Sequence, residues 1–286
     1  MRSFSFFITQ RIKDHPKVLK AMTSLDKNEF EQLCESFEEA WNESTRSRNP
    51  SAGGRPEQLF LIEDKLLFIL FYLKTYPLQE VLGYLFDMTQ SQANEWIYRL
   101  TQILQDALQK QDALPTRESE EFHHQLNEEG SQDLALDGTE RRIQRPQTYV
   151  GQKTYYSGKK KAHTIKNDVI VGVYDRIIKF LGVTYEGKKS DIAAIEEEKI
   201  DYPEGINLYQ DKGFQGYHPK GVYINQPRKK PKGKVLTEKQ IDENRLISRM
   251  RIVVEHVISG IKRLRIVKDV YRNLTDGYDD QVMLIS

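Results

Sequence analysis

The sequence has almost no cysteine and no long hydrophobic run. Cys34 is the one cysteine among 286 residues, which excludes an internal disulfide and a cysteine-based zinc site. The longest apolar run, LLFILFYL over 66–73, is far shorter than the ~20 residues that a membrane-spanning helix needs. The first residues contain a brief apolar patch without a small-residue cleavage site, so we expect no secretory signal. These absences favour an intracellular protein with no membrane partner.

The charges are divided unevenly between the two halves of the chain. Residues 1–132 carry 14 basic and 21 acidic side chains, whereas residues 133–286 carry 29 and 21. Within the second half, residues 141–166 hold eight Lys and Arg and no acid, and a second basic run, RKKPKGK, covers 228–234. Either run alone could be a solvated loop. Two such runs in one half of the chain indicate a polyanionic partner, and nucleic acid is the better interpretation.

The first half of the chain predicts helices. Residues 1–48 form an acidic helical segment, and residues 55–112 contain apolar stretches of helical period separated by short breaks. Two helices around a short turn, the second opening with Ser91, Gln92 and Asn94, fit a helix-turn-helix whose polar residues contact bases or phosphates. A helical bundle used for dimerisation is the alternative, since this unit is not basic.

The pattern changes twice after the helical half. Residues 113–132 are polar and acidic without periodicity, so we interpret them as a linker, in which His123 and His124 are solvated side chains rather than metal ligands. From 133 the sequence predicts a mixed α/β domain. The predicted elements are the strands DLALDGTE, KAHTIKNDVIVGVYD, RIIKFLGVTYEG, INLYQDKG and GVYINQP, a short helix over 190–199 and a long helix over 237–267.

Three carboxylates of the second half are candidates for one metal site. Asp137 ends the first predicted strand, Asp211 ends the fourth within LYQDKGFQGY, and each precedes a turn that contains glycine. In α/β sheets, ligand sites collect at the carboxyl ends of strands. Glu255 lies on the long helix at the edge of its apolar stripe, and its spacing puts it on one face with Arg251 and Lys262.

Each of these acids also has an ordinary explanation. The LYQDKG motif could be a plain turn, and Glu255 could form a surface salt bridge with Arg251 or Lys262. Together, three acids from two strands and a helix suit Mg²⁺, which prefers oxygen ligands and keeps substrate phosphates in its shell. Two such ions can stabilise the attacking and leaving oxygens of a displacement at phosphorus. Asp168 and Asp191 are rival acids, and a helix start explains Asp191.

The motifs LALDGTE, LYQDKGFQGY and RMRIVVEHVISGIKRLR resemble the catalytic domain of DDE transposases of bacterial insertion sequences, in the family-five group related to PIF/Harbinger elements. That family's signature spaces Tyr, Arg, Glu and Lys along a helix. Here it has Ser248, Arg251, Glu255 and Lys262, so serine replaces the tyrosine. YYSGKKKAHTIKNDVIV is similar to the family's second strand, and residues 55–110 resemble the helix-turn-helix that precedes such domains.

The resemblance implies an RNase H-like fold and two Mg²⁺ or Mn²⁺ ions held by Asp137, Asp211 and Glu255. It also implies DNA cleavage at terminal inverted repeats, strand transfer into target DNA, and a homo-oligomer on the DNA of the bacterial nucleoid in the cytoplasm. The side chains expected to contact DNA are Arg251, Lys262, Lys159, Lys160, Lys161, Ser91, Gln92 and Asn94.

Two alternative functions stay open at this point. Members of the family usually continue beyond VMLIS, so we expect a catalytic domain over 133–286 that is shortened at its C-terminus. A relic or repressor would bind the repeats without cutting them, which a short C-terminus favours and three intact acids disfavour. A metal-dependent endonuclease with the same site would cut DNA without strand transfer.

Overall fold

A computed structural model describes residues 12, 14–46, 58–130, 133–230, 233 and 235–286. The breaker cluster over 49–56 and residues 231, 232 and 234 of the second basic run lie outside the described residues. The chain divides into two compact units. The first contains Met1–Leu114, Arg263–Lys268 and Gln281–Ser286, and the second contains Pro115–Lys262 and Asp269–Asp280. Among the described helices, none has the length and apolar character to cross a membrane.

The elements follow one another as a helical half and then a mixed half. In chain order they are α1 (Pro16–Thr23), α2 (Lys27–Thr45), α3 (Ile62–Thr75), α4 (Gln79–Leu85), α5 (Gln90–Lys110), α6 (Ser119–Glu129), β1 (Asp133–Arg142), α7 (Tyr149–Tyr155), β2 (Tyr156–Ser157), β3 (Ala162–Gly172), β4 (Ile178–Leu181), β5 (Tyr185–Glu186), α8 (Asp191–Glu197), β6 (Ile206–Gln210), a 3-10 turn (Lys212–Phe214), β7 (Val222–Asn225), α9 (Glu238–Ile261), α10 (Arg265–Lys268) and α11 (Tyr278–Leu284).

The first unit contains the expected pair of helices around a short turn, α4 and α5. Thr89 is the N-cap of α5. Its hydroxyl accepts a hydrogen bond from Gln92 N, and the Gln92 side chain accepts one from Thr89 N. This reciprocal capping satisfies N–H groups that the first helical turn leaves free. The turn is tight at Gly83, since Met88 N donates to Gly83 O at 2.9 Å and an added Cβ would lie 2.7 Å from Met88 O. Only glycine fits there.

The second unit is built on one mixed sheet. Among the described residues, the sheet has seven strands. Five of them follow the order β2-β3-β1-β6-β7, and the other two, β4 and β5, each pair with β3. β3 runs antiparallel to β1 and to β4, whereas β1, β6 and β7 are parallel. Three antiparallel strands followed by two parallel ones fit an RNase H-like arrangement, and the expectation of a mixed α/β domain preceded by a helix-turn-helix is confirmed.

One face of this sheet carries the main core of the second unit. Leu134 and Leu136 of β1 point to it, as strand alternation requires. The core consists of Phe122, Leu126, Leu134, Leu136, Ile170, Phe180, Ile195, Ile200, Tyr202, Ile206, Leu208, Phe214 and Tyr217. Ala135 and Asp137 therefore face the opposite side of the sheet, where α9 packs against β1, β3 and β6.

The expected linker over 113–132 contains a helix instead, α6. Its Phe122 and Leu126 are buried in the core of the second unit, and Phe122 lies 5.4 Å from Phe180 between ring centroids. His123 and His124 are helical rather than loop residues: His123 Nδ1 lies 3.0 Å from Asp201 and His124 Nδ1 lies 3.5 Å from Glu128. Phe122 and Leu126 lie one helical turn apart, and both are fully buried in this core, so two apolar residues attach α6 to the second unit.

Two other expectations about strands and helices are corrected. The stretch over 176–187 forms two short strands, β4 and β5, rather than one. The long helix ends at Ile261, and α10 follows after a break. The break separates Lys262, at the end of the second unit, from Arg263, at the start of a segment of the first unit.

Candidate active site

Asp137 and Asp211 lie side by side where two parallel strands separate. β1 and β6 pair up to Leu136 and Gln210, and the next residue on each strand is one of these aspartates. β1 itself continues to Arg142 because it still pairs with β3. The expectation that Asp137 ends its strand is therefore wrong, and only its pairing with β6 ends there. Side chains at such a fork can approach a shared ligand.

The loop after Asp211 is shaped by its neighbour Gln210. The Gln210 side chain is fully buried and its Nε2 donates to Phe214 O and Tyr217 O, each at 3.3 Å. Phe214 N also donates to Asp211 O at 3.0 Å, and the Phe214 and Tyr217 rings enter the core. The motif LYQDKGFQGY thus anchors the backbone on both sides of Asp211 and leaves its carboxylate partly exposed.

Glycines of both aspartate motifs allow close approach of other carboxylates. A Cβ at Gly213 would lie 3.0 Å from Asp191 Oδ2, and one at Gly138 would lie 3.4 Å from Asp168 Oδ1. The chain turns back at Gly216, whose φ of +115° favours glycine. Gly216 therefore lets the chain turn after Asp211, as expected. Gly213 instead leaves room for the Asp191 carboxylate.

Glu255 reaches the same region from α9. Val254 and Ile258 are buried against the sheet, and Glu255 lies beside them at the exposed edge of the helix. One turn earlier, Arg251 lies between two carboxylates. Its Nη1 is 3.3 Å from Asp211 Oδ1 and its Nη2 is 3.8 Å from Glu255 Oε1. The arginine therefore links the loop after β6 to the helix.

Asp137 belongs to the same electrostatic cluster. Burial raises the pKa of Asp137 above its usual value, and the Asp211 and Glu255 carboxylates act in the same direction. Two groups lower that pKa. One is the Gly138 N–H, which donates to Asp137 Oδ1 at 2.8 Å, and the other is the Arg251 guanidinium. The structure thus places Arg251 between Asp211 and Glu255, and all three side chains act electrostatically on Asp137.

Lysines flank this cluster on the side of Asp137. Lys262 follows the last residue of α9 and is half-buried. Burial and the nearby Lys160 ammonium lower the pKa of Lys262, whereas Asp137 and Glu140 raise it. Lys159, Lys160 and Lys161 are exposed in the turn between β2 and β3. Of these three lysines, Lys159 contacts the rival acid Asp191, with its Nζ 3.7 Å from Asp191 Oδ2.

The rival acids Asp168 and Asp191 lie behind the sheet. Asp168 pairs with Gly138 and shares a face with Ile170, so it points to the side opposite Asp137. It is 1% exposed, and its oxygens have no hydrogen-bond partner among the described residues. Asp191, the first residue of α8, lies 2.9 Å from the buried Lys166 ammonium. The sequence pattern does not predict that Lys166 is buried, because burial of a charged residue in a strand depends on its distant partner Asp191.

The polar residues predicted to read DNA at α5 differ in how far they are engaged locally. Ser91 is exposed, whereas Gln92 forms the helix cap with Thr89. The side-chain oxygen Oδ1 of Asn94 accepts a hydrogen bond from Gln79 Nε2 at 2.7 Å. Ser91 is therefore the predicted contact that is most available at the start of this helix.

The chemistry of the donor set fits a divalent cation. Asp137, Asp211 and Glu255 supply only carboxylate oxygens, which Mg²⁺ and Mn²⁺ accept. Over the described part of the chain, however, no group of three or more His, Cys, Asp or Glu is already arranged to hold a metal ion. The Arg251 guanidinium provides the positive charge between two of the carboxylates instead.

A mixed sheet with aspartates where its parallel strands separate, preceded by a helix-turn-helix, is typical of enzymes that process DNA. Residues 136–283 match the family model for a DDE superfamily endonuclease, and residues 58–110 match the model for the helix-turn-helix of DDE superfamily endonuclease. The chain belongs to this family. It is also 28% identical over 256 residues to the probable transposase for insertion sequence element IS702 of Microchaete diplosiphon, across 89% of this chain and 86% of that protein. The resemblance to DDE transposases of insertion sequences is thereby confirmed. No solved structure is significantly similar to the chain.

Proposed function

We propose that this protein is an insertion-sequence transposase that cuts DNA at the terminal inverted repeats of its element and joins the ends to target DNA. The proposal is supported by the position of Arg251 between Asp211 and Glu255, together with the electrostatic influence of all three side chains on Asp137. These acids come from β1, the loop after β6 and α9, so their proximity is a product of the whole fold. A solvated surface salt bridge would not need Asp137, which is partly buried.

The three carboxylates would hold divalent cations, Mg²⁺ or Mn²⁺ and two in number. Bound ions would supply charge stabilisation for the attacking and leaving oxygens of an in-line displacement at phosphorus. The family match supports the use of divalent metal in general. The number of ions and the roles of Asp137, Asp211 and Glu255 as ligands are part of the proposal.

The basic residues of the site bind and orient DNA in this proposal. Arg251 leaves Asp211 and Glu255 and pairs with a phosphate, as a guanidinium does well. Asp137 and Lys160 both act electrostatically on Lys262, so a phosphate at the carboxylates would meet positive charge. Burial and a like charge both disfavour protonated Lys262, and a phosphate compensates for this by its negative charge.

Recognition of the element is assigned to the first unit. The match over 58–110 supports DNA binding by α4 and α5, with Ser91 at the exposed start of α5 and Gln92 and Asn94 beside it. Lys159 and Lys161 would hold the DNA backbone near the carboxylates. Because two element ends must be joined, we propose a homo-oligomer on DNA, working in the cytoplasm at the bacterial nucleoid.

The test is cleavage and joining of DNA that carries the repeats flanking the gene, with and without Mg²⁺ or Mn²⁺. Asp137→Asn, Asp211→Asn and Glu255→Gln should bind the repeats and neither cut nor join. Asp242→Asn is the matched control, since Asp242 is an exposed acid on α9 paired with Arg245. Wild type that binds and never cuts would establish a relic or repressor. Wild type that cuts and never joins would establish an endonuclease without strand transfer.

A further inference from the structure

The acid-free basic run over 141–166 exposes apolar side chains as well as lysines. Tyr149 and Val150, in the first turn of α7, are 70% and 73% exposed, and Tyr156 in β2 is 43% exposed. No residue of α7, which the structure describes in full, is buried. Most helices in proteins are stabilised by packing an apolar face. Tyr149 and Val150 therefore contribute little to the packing of the fold.

The position of α7 is fixed by hydrogen bonds and one close contact. Thr148 Oγ1 accepts from Gly151 N at 3.1 Å. The Gln152 side chain donates to Pro146 O at 2.9 Å and accepts from Arg145 Nη2 at 2.8 Å. A Cβ at Gly151 would lie 2.9 Å from Pro146 Cβ, so the preceding segment packs closely on the helix. The exposed apolar residues of α7 are held on an ordered frame.

Basic side chains lie near the exposed rings, in space or along the chain. Lys153 Nζ lies 4.4 Å from the centroid of the Tyr149 ring, and the exposed Lys159 and Lys161 follow β2 directly. Tyr156 packs beside His163, with ring centroids 5.7 Å apart. An apolar surface within a field of one sign suits a ligand that has both apolar faces and negative charges.

The basic run leads to the catalytic carboxylates. Lys159 Nζ lies 3.7 Å from Asp191 Oδ2. The Asp191 carboxylate in turn lies close to Gly213 and Gly138, the glycines of the two aspartate motifs. DNA held along the run would therefore lie near the proposed cleavage site.

We propose that Tyr149, Val150 and Tyr156 form a base-stacking surface, which holds an unpaired nucleotide of the DNA beside the bond that is cut. This inference rests on the proposed function and names the form of DNA that the site takes. A nucleobase stacks on aromatic side chains while its phosphates pair with basic groups. A second copy of the same surface would bring like charges together, which disfavours self-association through it.

The experiment compares unpaired with paired DNA. Full-length protein is titrated, without added metal, against a single-stranded oligonucleotide that carries 2-aminopurine and against the corresponding duplex. Stacking of this fluorescent base on a ring quenches its emission. The variants are Tyr149→Ala, Tyr149→Phe and, as a matched control, Tyr174→Ala, because Tyr174 is an equally exposed tyrosine of the second unit outside the basic run. Melting temperatures establish that each variant is folded.

We expect wild type to bind the single strand more tightly than the duplex and to quench the probe. Tyr149→Ala should lose roughly tenfold in affinity for the single strand, together with the quenching, and keep its affinity for the duplex. Tyr149→Phe retains the ring and should behave as wild type, as should Tyr174→Ala. Lys159→Ala should reduce the slope of log affinity against log salt by ~0.7 and leave the quenching intact.

Three results would overturn the base-stacking surface. One is equal affinity of wild type for the two DNAs, and another is an equal loss on both in Tyr149→Ala. The third is weaker self-association of Tyr149→Ala in sedimentation with unchanged DNA affinity, which would assign the surface to a second copy of the chain. Cleavage enters none of these readouts. Wild type that stacks the probe and never cuts the repeats would reject the proposed function and retain the stacking surface.

Discussion

Arg251 Nη1 lies 3.3 Å from Asp211 Oδ1, and through its other terminal nitrogen the same side chain reaches Glu255 at 3.8 Å. The arginine side chain is only 12% exposed, whereas both carboxylates are much more open to solvent. In the absence of a cation, this guanidinium balances the repulsion between the acids. We therefore expect a divalent ion that takes Asp211 and Glu255 as ligands to compete with Arg251 for their oxygens.

The first prediction concerns this competition. Arg251→Gln should bind Mn²⁺ about fivefold more tightly than wild type without DNA, since ion pairs whose carboxylates are open to solvent contribute ~1 kcal/mol. The metal-free variant should also melt at a slightly lower temperature. Calorimetric titration with MnCl₂ measures the affinity. Arg249→Gln, an exposed arginine on the same helix, serves as control and should match wild type. Mn²⁺ affinity that is unchanged or weaker in Arg251→Gln would show that the guanidinium does not compete.

The second prediction concerns the buried carboxyl of Asp168. Burial raises the pKa of Asp168 well above its usual value, Asp191, Glu198 and Asp137 raise it further, and Lys166 lowers it. The folded state therefore keeps a proton that the unfolded chain loses near pH 4. Stability contributed by this proton is present below about pH 4 and is lost as the pH rises through the folded-state pKa.

Asp168→Asn should remove this pH dependence. The variant is expected to be more stable than wild type by roughly 1–3 kcal/mol at pH 8, because an uncompensated buried carboxylate is gone. Near pH 4 the two proteins should be equally stable. Urea unfolding at the two pH values measures the difference. Loss of stability in Asp168→Asn at both pH values would mean that the carboxylate is needed in its charged form. Since Asp168 faces away from Asp137, cleavage should persist.

The positions of Asp211 and Glu255 follow from local patterns, and their proximity does not. Asp211 ends a short apolar stretch, and Glu255 borders an apolar stripe of helical period, so one strand end and one helix face could be predicted. The fork beside Asp137 depends on the register between β1 and β6, which pair across about 70 residues of sequence. A glycine after Asp137 suggested a turn, but pairing with β3 keeps the strand extended.

Features fixed by tertiary contacts were out of reach of the sequence. α6 has two buried apolar residues, Phe122 and Leu126, in an otherwise acidic stretch, so its periodicity is too weak to detect. Lys166 and Asp168 are buried in β3 although charged residues in strands usually face solvent. In each case the partner that covers the residue lies far away along the chain, in β4, α8 or the loop before β6.

The third prediction separates helix capping from DNA recognition in the helix-turn-helix. Ser91→Ala should weaken binding to the inverted repeats and leave the melting temperature unchanged, because Ser91 is exposed. Gln92→Ala should lower the melting temperature, with a loss of about 1 kcal/mol, because its side chain caps Thr89 N. Fluorescence anisotropy with repeat and scrambled DNA measures binding. Unchanged repeat binding by Ser91→Ala would favour a bundle that only dimerises.

The last prediction concerns how the segment Asp269–Asp280 is attached to the second unit. The buried Arg141 side chain donates to Asp279 O through Nη1 at 2.9 Å and to Asn167 Oδ1 through Nη2 at 2.9 Å. Arg141→Met removes the donor from the buried Asn167 Oδ1 and from the partly buried Asp279 O, and a buried acceptor left without its donor costs about 1–3 kcal/mol. We expect a destabilisation of about 3 kcal/mol and faster proteolysis within the segment. Arg142→Met, next to it but exposed, is the control and should unfold as wild type does. Equal stability of the two variants would mean that the segment is held by its other contacts, such as Tyr271 N to Arg142 O at 2.8 Å.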